Sequence, residues 1–227
     1  MLPLMHEGRL APFEFPLLAL LISGGHTELV LSEKFGAYKM LGETRDDAVG
    51  EAFDKVARML GLPYPGGPKI SALAAEARTK DIAPTFSFTR PMMHDGTYDF
   101  SFSGLKTAVR RVVEANTPSD ELKLQVAREF EDTVADVLIS KTLRAAEEYG
   151  VQTIVVGGGV SANTFIRSEL ERRMQAGGLG AQLLVSPPEL ATDNSIMIAL
   201  AGYFHALNTE FIAPESLVAR GNLRLAR

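Results

Sequence analysis

The sequence predicts an α/β fold, and three stretches carry that expectation. Leu17–Val30, LLALLISGGHTELV, offers an apolar run suited to a strand buried on both faces, a Ser-Gly-Gly-His turn, and a second strand-like run, Thr27–Leu31. Gln152–Val156 reads as a parallel-type buried strand that runs into Gly157-Gly158-Gly159 and then, past Ser161 and Asn163, into a helix ending near Ala176. Between them lies an acidic helix flanked by Gly24-Gly25 and Gly66-Gly67. A strand that stops at glycines lets the backbone approach a ligand closely, and the amide groups at a following helix start are oriented towards an anion. By itself, the first stretch reads equally well as a plain Gly-Gly hairpin turn.

Composition narrows the classes. With 227 residues, 46% hydrophobic and 22% charged, the chain has the balance of an ordinary globular protein of one large or two small domains. A net charge of -5 gives no general field for nucleic acid, so any RNA contact has to use a local basic patch. The lack of cysteine excludes a disulfide scaffold, a thiolate zinc site and a cysteine nucleophile, and it fits a reducing, cytoplasmic setting. The apolar run Leu17–Ile22 is far too short to span a bilayer, so no membrane role is expected. Residues 1–16 have no basic stretch followed by an apolar one, so no signal peptide is read there.

In chain order, residues 1–16 carry three prolines and read as an irregular lead-in. His6-Glu7 begins like a metalloprotease HExxH motif, but position 10 is Leu and the second histidine is absent. Ala37–Leu41 is a short strand. Asp46 and Asp47 suit the start of a helix whose Val49, Phe53, Val56 and Leu60 face the core. Asp47, Glu51 and Asp54 form an acidic stripe, read either as a solvated face or as carboxylates gripping ribose hydroxyls. Gly61-Leu62-Pro63 ends this helix, Tyr64–Pro68 is a rigid loop, and Ile70–Thr79 is a short helix. Phe86-Ser87-Phe88 and Asp99–Phe102 alternate as strand candidates joined by a turn at Pro91–Thr97. Ser103 is placed to cap a helix over Gly104–Glu114, on which Lys106, Arg110 and Arg111 form the clearest basic patch. Thr117–Asp120 caps a long amphipathic helix with a buried side of Val126, Phe130, Val134, Val137 and Leu138, stopped by Gly150. Gln182–Val185 is a further strand, Pro187-Pro188 breaks it, and Ser195–Leu207 is a strongly apolar helix before an irregular tail. The glycine run is neither a Walker A loop nor GxGxxG.

A hairpin, helices and then strand, glycine turn and helix match the actin-like ATPase fold, in which two RNase H-like α/β lobes clamp a nucleotide between glycine turns. The residue pattern alone reaches a nucleotide-binding α/β protein. Five ordered motifs go further: LLISGGHTELV (Leu20–Val30), LGETRDDAVGEAFDKVARMLGLPYPGGP (Leu41–Pro68), FSFSGLKTAV (Phe100–Val109), VVGGGVSANTFIR (Val155–Arg167) and PPELATDNSIMIA (Pro187–Ala199). Together they closely resemble the tRNA threonylcarbamoyladenosine synthase family, whose bacterial members carry the older name O-sialoglycoprotein endopeptidase-like. The resemblance implies an actin-like fold and transfer of a threonylcarbamoyl group from threonylcarbamoyl-AMP to N6 of adenosine 37 in tRNAs reading ANN codons. As partners it implies tRNA, an inactive paralogous subunit and a small ATPase.

Carried over position by position, the resemblance gives Leu21, Ile22, Ser23, Gly24 and Gly25 to the adenylate phosphate segment. Asp54 and Gly67 match the ribose- and adenine-side contacts, and Asn163 matches another nucleotide contact, with ATP or ADP as alternative ligands. Asp193 matches the aspartate that binds the family's metal, iron or zinc. The family's HxxxH metal pair falls where this chain reads Met5-His6-Glu7-Gly8-Arg9, leaving His6 as the remaining histidine. The expectation is therefore an N-terminally truncated member with a complete second lobe, a largely missing first lobe and an impaired metal centre. Residues 1–16 would be a remnant of the first lobe, 17–190 the nucleotide-binding lobe, and 191–227 a helix and tail that return to the first lobe, leaving the apolar helix short of partners. Two alternatives stay open: a non-catalytic nucleotide-binding partner subunit, and a generic actin-like ATPase or kinase. A peptidase fits least, because neither HExxH nor a nucleophile–base arrangement is visible.

Overall fold

The computed structural model describes residues 12–117, 119–187, 190–191 and 195–219, together with the backbone of residues 5–6 and 9–10. Two short strands, β1 (Met5–His6) and β2 (Arg9–Leu10), pair antiparallel. A five-stranded sheet comprises β3 (Leu17–Ile22), β4 (Thr27–Lys34), β5 (Ala37–Glu43), β6 (Thr153–Gly157) and β7 (Gln182–Val185), in the order β5-β4-β3-β6-β7. The β3–β4–β5 meander is antiparallel, as the hairpin pattern predicts, and β3, β6 and β7 run parallel. The helices are α1 (Val49–Met59), α2 (Gly66–Thr79), α3 (Ser103–Ala115), α4 (Asp120–Glu148), α5 (Thr164–Ala176) and α6 (Ser195–Leu207).

Strand β3 is the centre of the sheet, and its period of two sorts its side chains onto two faces. Leu18, Leu20 and Ile22 are fully buried in one cluster with Leu29, Leu31, Ile154 and Val156, and with Phe130, Val134 and Leu138 of α4. Leu17, Ala19 and Leu21 face the other way. There they wall a cavity of about 550 Å³, closed on its far side by Met197, Ala201 and Phe204 of α6. No residue of α6 is buried, and Ile198, Tyr203 and Leu207 are exposed. Phe204 of α6 meets the Phe35 ring at 4.6 Å between centroids. Among the described residues no helix is long and apolar enough to cross a membrane.

Helix α4 has the predicted buried side, with Val126, Phe130, Val134, Val137 and Leu138 all buried. The buried side is broad: residues 124–127, 129–131, 133–135 and 137–139 are all buried, leaving a half-buried stripe at 128, 132, 136 and 140. The reason is its position: α4 lies against β3 and also packs on α2, α3 and α5. Its buried charges therefore need partners, and they have them. Glu129 accepts from the Phe88 amide at 2.8 Å and from Arg90 at 2.7 Å. The Lys141 ammonium donates to Asp95 (3.1 Å) and to the carbonyls of Thr97 (3.1 Å) and Asp99 (2.7 Å), while burial pushes its pKa down.

Four expectations are corrected. Phe86–Phe88 and Asp99–Phe102 are not strands; Phe100 alone makes an isolated bridge, to Thr44. Their alternating aromatics are anchors, with Phe88, Phe100 and Phe102 buried in the helical core instead of along a sheet. Helix α2 begins at Gly66, so Gly66-Gly67-Pro68 form its first turn and not a loop. Asp46 and Asp47 do not cap α1: its Val49 amide donates to Thr27 Oγ1 at 2.8 Å, from β4. Ser103 does not cap α3 either. Asp46 does so from a distance, accepting at Oδ1 from the amides of Phe102 (2.8 Å) and Ser103 (3.1 Å), and from the Ser101 hydroxyl at Oδ2. Where caps are local the sequence reading holds: Ser119 accepts from the Leu122 amide at 3.0 Å, and Gly61 and Gly150 end their helices at φ +72° and +58°.

Candidate nucleotide site at the carboxyl edge of the parallel strands

Parallel pairing sets Leu21 of β3 beside Gly157 of β6, so the two turns that follow these strands leave the sheet side by side. This edge, outside the carboxyl ends of parallel strands, is where open α/β sheets bind ligands. The turns touch at Gly158, which has φ +93°; a Cβ there would lie 2.4 Å from the Ile22 carbonyl oxygen and 3.3 Å from Ser23 Cβ. Helix α1 closes in from the side. A Cβ on Gly50 would lie 2.7 Å from the Ser23 carbonyl oxygen and 2.9 Å from Gly24 Cα, and the Gly50 amide donates to Ser23 O at 3.1 Å. Glycine is required at both places because backbone meets backbone.

The Ser23–His26 turn is organised by its serine. Ser23 Oγ accepts from the amides of Gly25 (3.2 Å) and His26 (3.0 Å), and the Ser23 amide donates to His26 O at 2.9 Å. Gly24 and Gly25 are exposed with open space where a Cβ would stand, and neither has a positive φ. Their value lies in room for a close ligand and not in a left-handed backbone. Ile22 is buried in the core and Leu21 is half-buried on the cavity face.

The acidic stripe divides. Asp47 is drawn between Lys55 (2.6 Å) and Lys106 (3.3 Å), and Glu51 pairs with Lys55 at 2.8 Å. Burial tends to raise the Asp47 pKa, but hydrogen bonds to the two lysines outweigh it and hold the carboxyl below its ordinary range. Asp54 serves the glycine turn instead: its Oδ1 accepts from the Gly66 amide at 2.7 Å, at the start of α2. Gly67 follows, half-buried against Phe53.

Asn163 joins these pieces. Its Oδ1 caps α5 by accepting from the Ile166 amide at 2.9 Å, while its Nδ2 donates to Ser71 Oγ of α2 (2.8 Å) and to Glu131 Oε1 of α4 (2.7 Å). Glu131 is fully buried and salt-bridged to Arg78 at 2.6 Å; Arg78 also reaches Asp132 and lies 3.4 Å over the Phe165 ring. Arg167 ties the turn to β7, donating to the carbonyls of Ser161 and Ser186. Ser71 and Glu131 are absent from the sequence reading, and Arg167 enters it only as the last residue of a motif. The only local signal is an acid amid the apolar positions of a buried helix, which demands a partner.

The structure ties the predicted residues in through neighbours: Ser23 and Gly24 against Gly50 of α1, Asp54 on the Gly66 amide, and Asn163 on Ser71 of α2. Asp193 and the side chain of His6 lie outside the described residues. Among the described residues no three His, Cys, Asp or Glu side chains come together as metal donors. In the basic patch, Lys106 is occupied by Asp47, Arg110 has Glu114 at 3.7 Å, and Arg111 is exposed.

Comparison with known proteins bears on the family and the fold. A tRNA N6-adenosine threonylcarbamoyltransferase from Geobacillus thermodenitrificans is 48% identical over 194 residues, covering 85% of this chain and 55% of its own length. Those from Nitrosospira multiformis and Enterococcus faecalis are 47% and 44% identical, over 83% and 88% of this chain and 54% and 57% of theirs. The chain thus spans about half the length of the curated relatives it matches. The crystal structure of T. kodakarensis HypF superposes with a TM-score of 0.53 at 17% identity, over 76% of this chain and 21% of that one, a likeness of fold that suits the actin-like class. Residues 2–200 match the TsaD family, tRNA N6-adenosine threonylcarbamoyltransferase, and the chain belongs to that family.

Proposed function

We propose that this chain binds the adenylate of threonylcarbamoyl-AMP at the carboxyl edge of β3 and β6 and takes part in transfer of the threonylcarbamoyl group to N6 of adenine 37 in tRNAs reading ANN codons. Family membership supports the chemistry, and the close contact of Gly158 with Ser23, together with the bond from Asn163 to Ser71 of α2, supports the site. In the transfer, the adenine N6 attacks the carbamoyl carbon. The bond from that carbon to the AMP phosphate oxygen breaks, AMP leaves with the electron pair, and N6 loses a proton to solvent. The chain's part is to bind and orient. The turn from Leu21 to Gly25 would face the phosphate, Asp54 would accept from ribose hydroxyls through the oxygen that Gly66 does not use, and Gly67 would pass close to the base.

Asp193, with His6, would supply at most two donors for a divalent iron or zinc ion, fewer than the three such a centre takes, so the metal centre of this chain is proposed to be impaired; a bound ion would polarise the carbonyl. Residues 17–190 would form the nucleotide-binding lobe, with 1–16 and 191–227 belonging to contacts outside it. tRNA would approach over the α3 face bearing Lys106, Arg110 and Arg111, in the cytoplasm, alongside a paralogous subunit and a small ATPase.

The test has two steps. Calorimetry with AMP and ATP should show saturable binding that Asp54→Ala weakens. Reconstitution with the partner subunits, an enzyme that makes threonylcarbamoyl-AMP and unmodified tRNA should yield the modified nucleoside by mass spectrometry. Absence of any adenine-nucleotide binding would overturn the site. Release of ADP from ATP without tRNA modification would replace this reading with an actin-like ATPase.

A further inference from the structure

The carboxamide of Asn163 is held in one orientation, and that orientation limits what it can say to a ligand. Its two N–H groups both have acceptors inside the protein, Ser71 Oγ at 2.8 Å and Glu131 Oε1 at 2.7 Å. Its oxygen faces the Ile166 amide at 2.9 Å. The reverse orientation would set oxygen against the Glu131 carboxylate and NH₂ against an N–H, so no flip is available. Glu131 cannot turn away, because it is fully buried and its other oxygen is held by Arg78 at 2.6 Å, itself paired with Asp132. A side-chain amide has two donors and two acceptor lone pairs. Both donors and one lone pair are spent here, and one lone pair on Oδ1 remains.

We infer that Glu131 is a positioning residue that makes Asn163 an acceptor-only contact, so that Asn163 reads a hydrogen-bond donor of the nucleoside, a ribose hydroxyl or an exocyclic amine, and not a phosphate oxygen. This rests on the adenylate reading above. Phosphate recognition then falls to backbone amides, and Asn163 contributes selectivity for the nucleoside part of the ligand.

The test is an exchange of the pair. Asn163→Asp puts two carboxylates face to face and should weaken adenosine and AMP binding about tenfold or more, the scale expected when a buried polar contact is broken. Adding Glu131→Gln restores complementarity: the new side-chain amide donates to the carboxylate introduced at position 163, its oxygen still accepts from Arg78, and the acceptor towards the ligand is kept. The double variant should recover binding of both probes to within about threefold of wild type. A double variant no better than Asn163→Asp overturns the inference. So does recovery for adenosine but not AMP, since that places a phosphate beside position 163.

A second readout needs no nucleotide. In the wild-type chain both Asn163 side-chain amide protons should exchange slowly by NMR, and Glu131→Ala should speed that exchange. Fast exchange in the wild type overturns the inference. Slow exchange without any nucleotide binding upholds the positioning by Glu131 and removes the adenylate reading alone.

Discussion

The two faces of the five-stranded sheet are built to different standards. On one, Leu18, Leu20 and Ile22 are sealed beneath α4 in the main core, and α4 itself is buried over most of its circumference. On the other, Leu17, Ala19 and Leu21 look into a cavity of about 550 Å³ under α6, a helix with no buried residue. The strand is the same, and its side chains differ little in type. What differs is the number of layers above them. A strand's alternation therefore guarantees two apolar faces without guaranteeing that both carry equal stability.

The largest expected effect lies in the sealed face. Phe130→Ala should lower unfolding free energy by about 3–5 kcal/mol in a urea titration, while Leu21→Ala on the cavity side should cost under about 2 kcal/mol. Equal costs would break the comparison. Next is Gly158→Ala at the junction of the two turns, where a Cβ would meet the Ile22 carbonyl at 2.4 Å. A loss of about 2–3 kcal/mol is expected, against under about 0.5 kcal/mol for Gly24→Ala in open space. Asp46→Ala removes the remote cap of α3 and should cost about 1–2 kcal/mol, read as a shift in thermal midpoint.

Acid comes next. Arg172, against the opposing effect of burial and with help from Arg173, holds the Glu169 carboxyl down at about 2, and Asp47 is likewise lowered. Carboxyls depressed in the fold stabilise it above their unfolded pKa, and that stability fades as pH falls through the folded value. Stability should therefore hold at neutral pH and decline from about pH 4.5 towards 2, with a smaller decline in Glu169→Gln. The smallest effect belongs to the exposed helix. Ile198→Ser should change stability by less than about 0.5 kcal/mol while improving solubility at high concentration.

Elements whose signal is local were legible. The hairpin, β5, α1, β6, α5, β7 and α6 were each announced by period, by punctuation or by a cap residue within four positions. The strands read into Phe86–Phe88 and Asp99–Phe102 failed because alternation reports buried side chains without saying what buries them. Within the candidate site, the glycine turns, Asp54 and Asn163 were visible because each sits beside glycines in a strand–turn–helix context. Glu131 was not, since nothing within its own helix names a partner 32 positions away.

The amino-acid sequence by itself determined the α/β class, the family, the order of the elements and the places where the backbone had to be bare. Those are short-range properties of period and glycine placement. Only the tertiary structure decided which acids are caps, which are ion pairs and which serve the site. Thr27 caps α1, Asp46 caps α3, Asp47 reaches Lys106 and Glu131 accepts from Asn163, all across distances in sequence that no window spans. A hydrogen bond is specified by where two groups meet, and that meeting is a property of the packed chain.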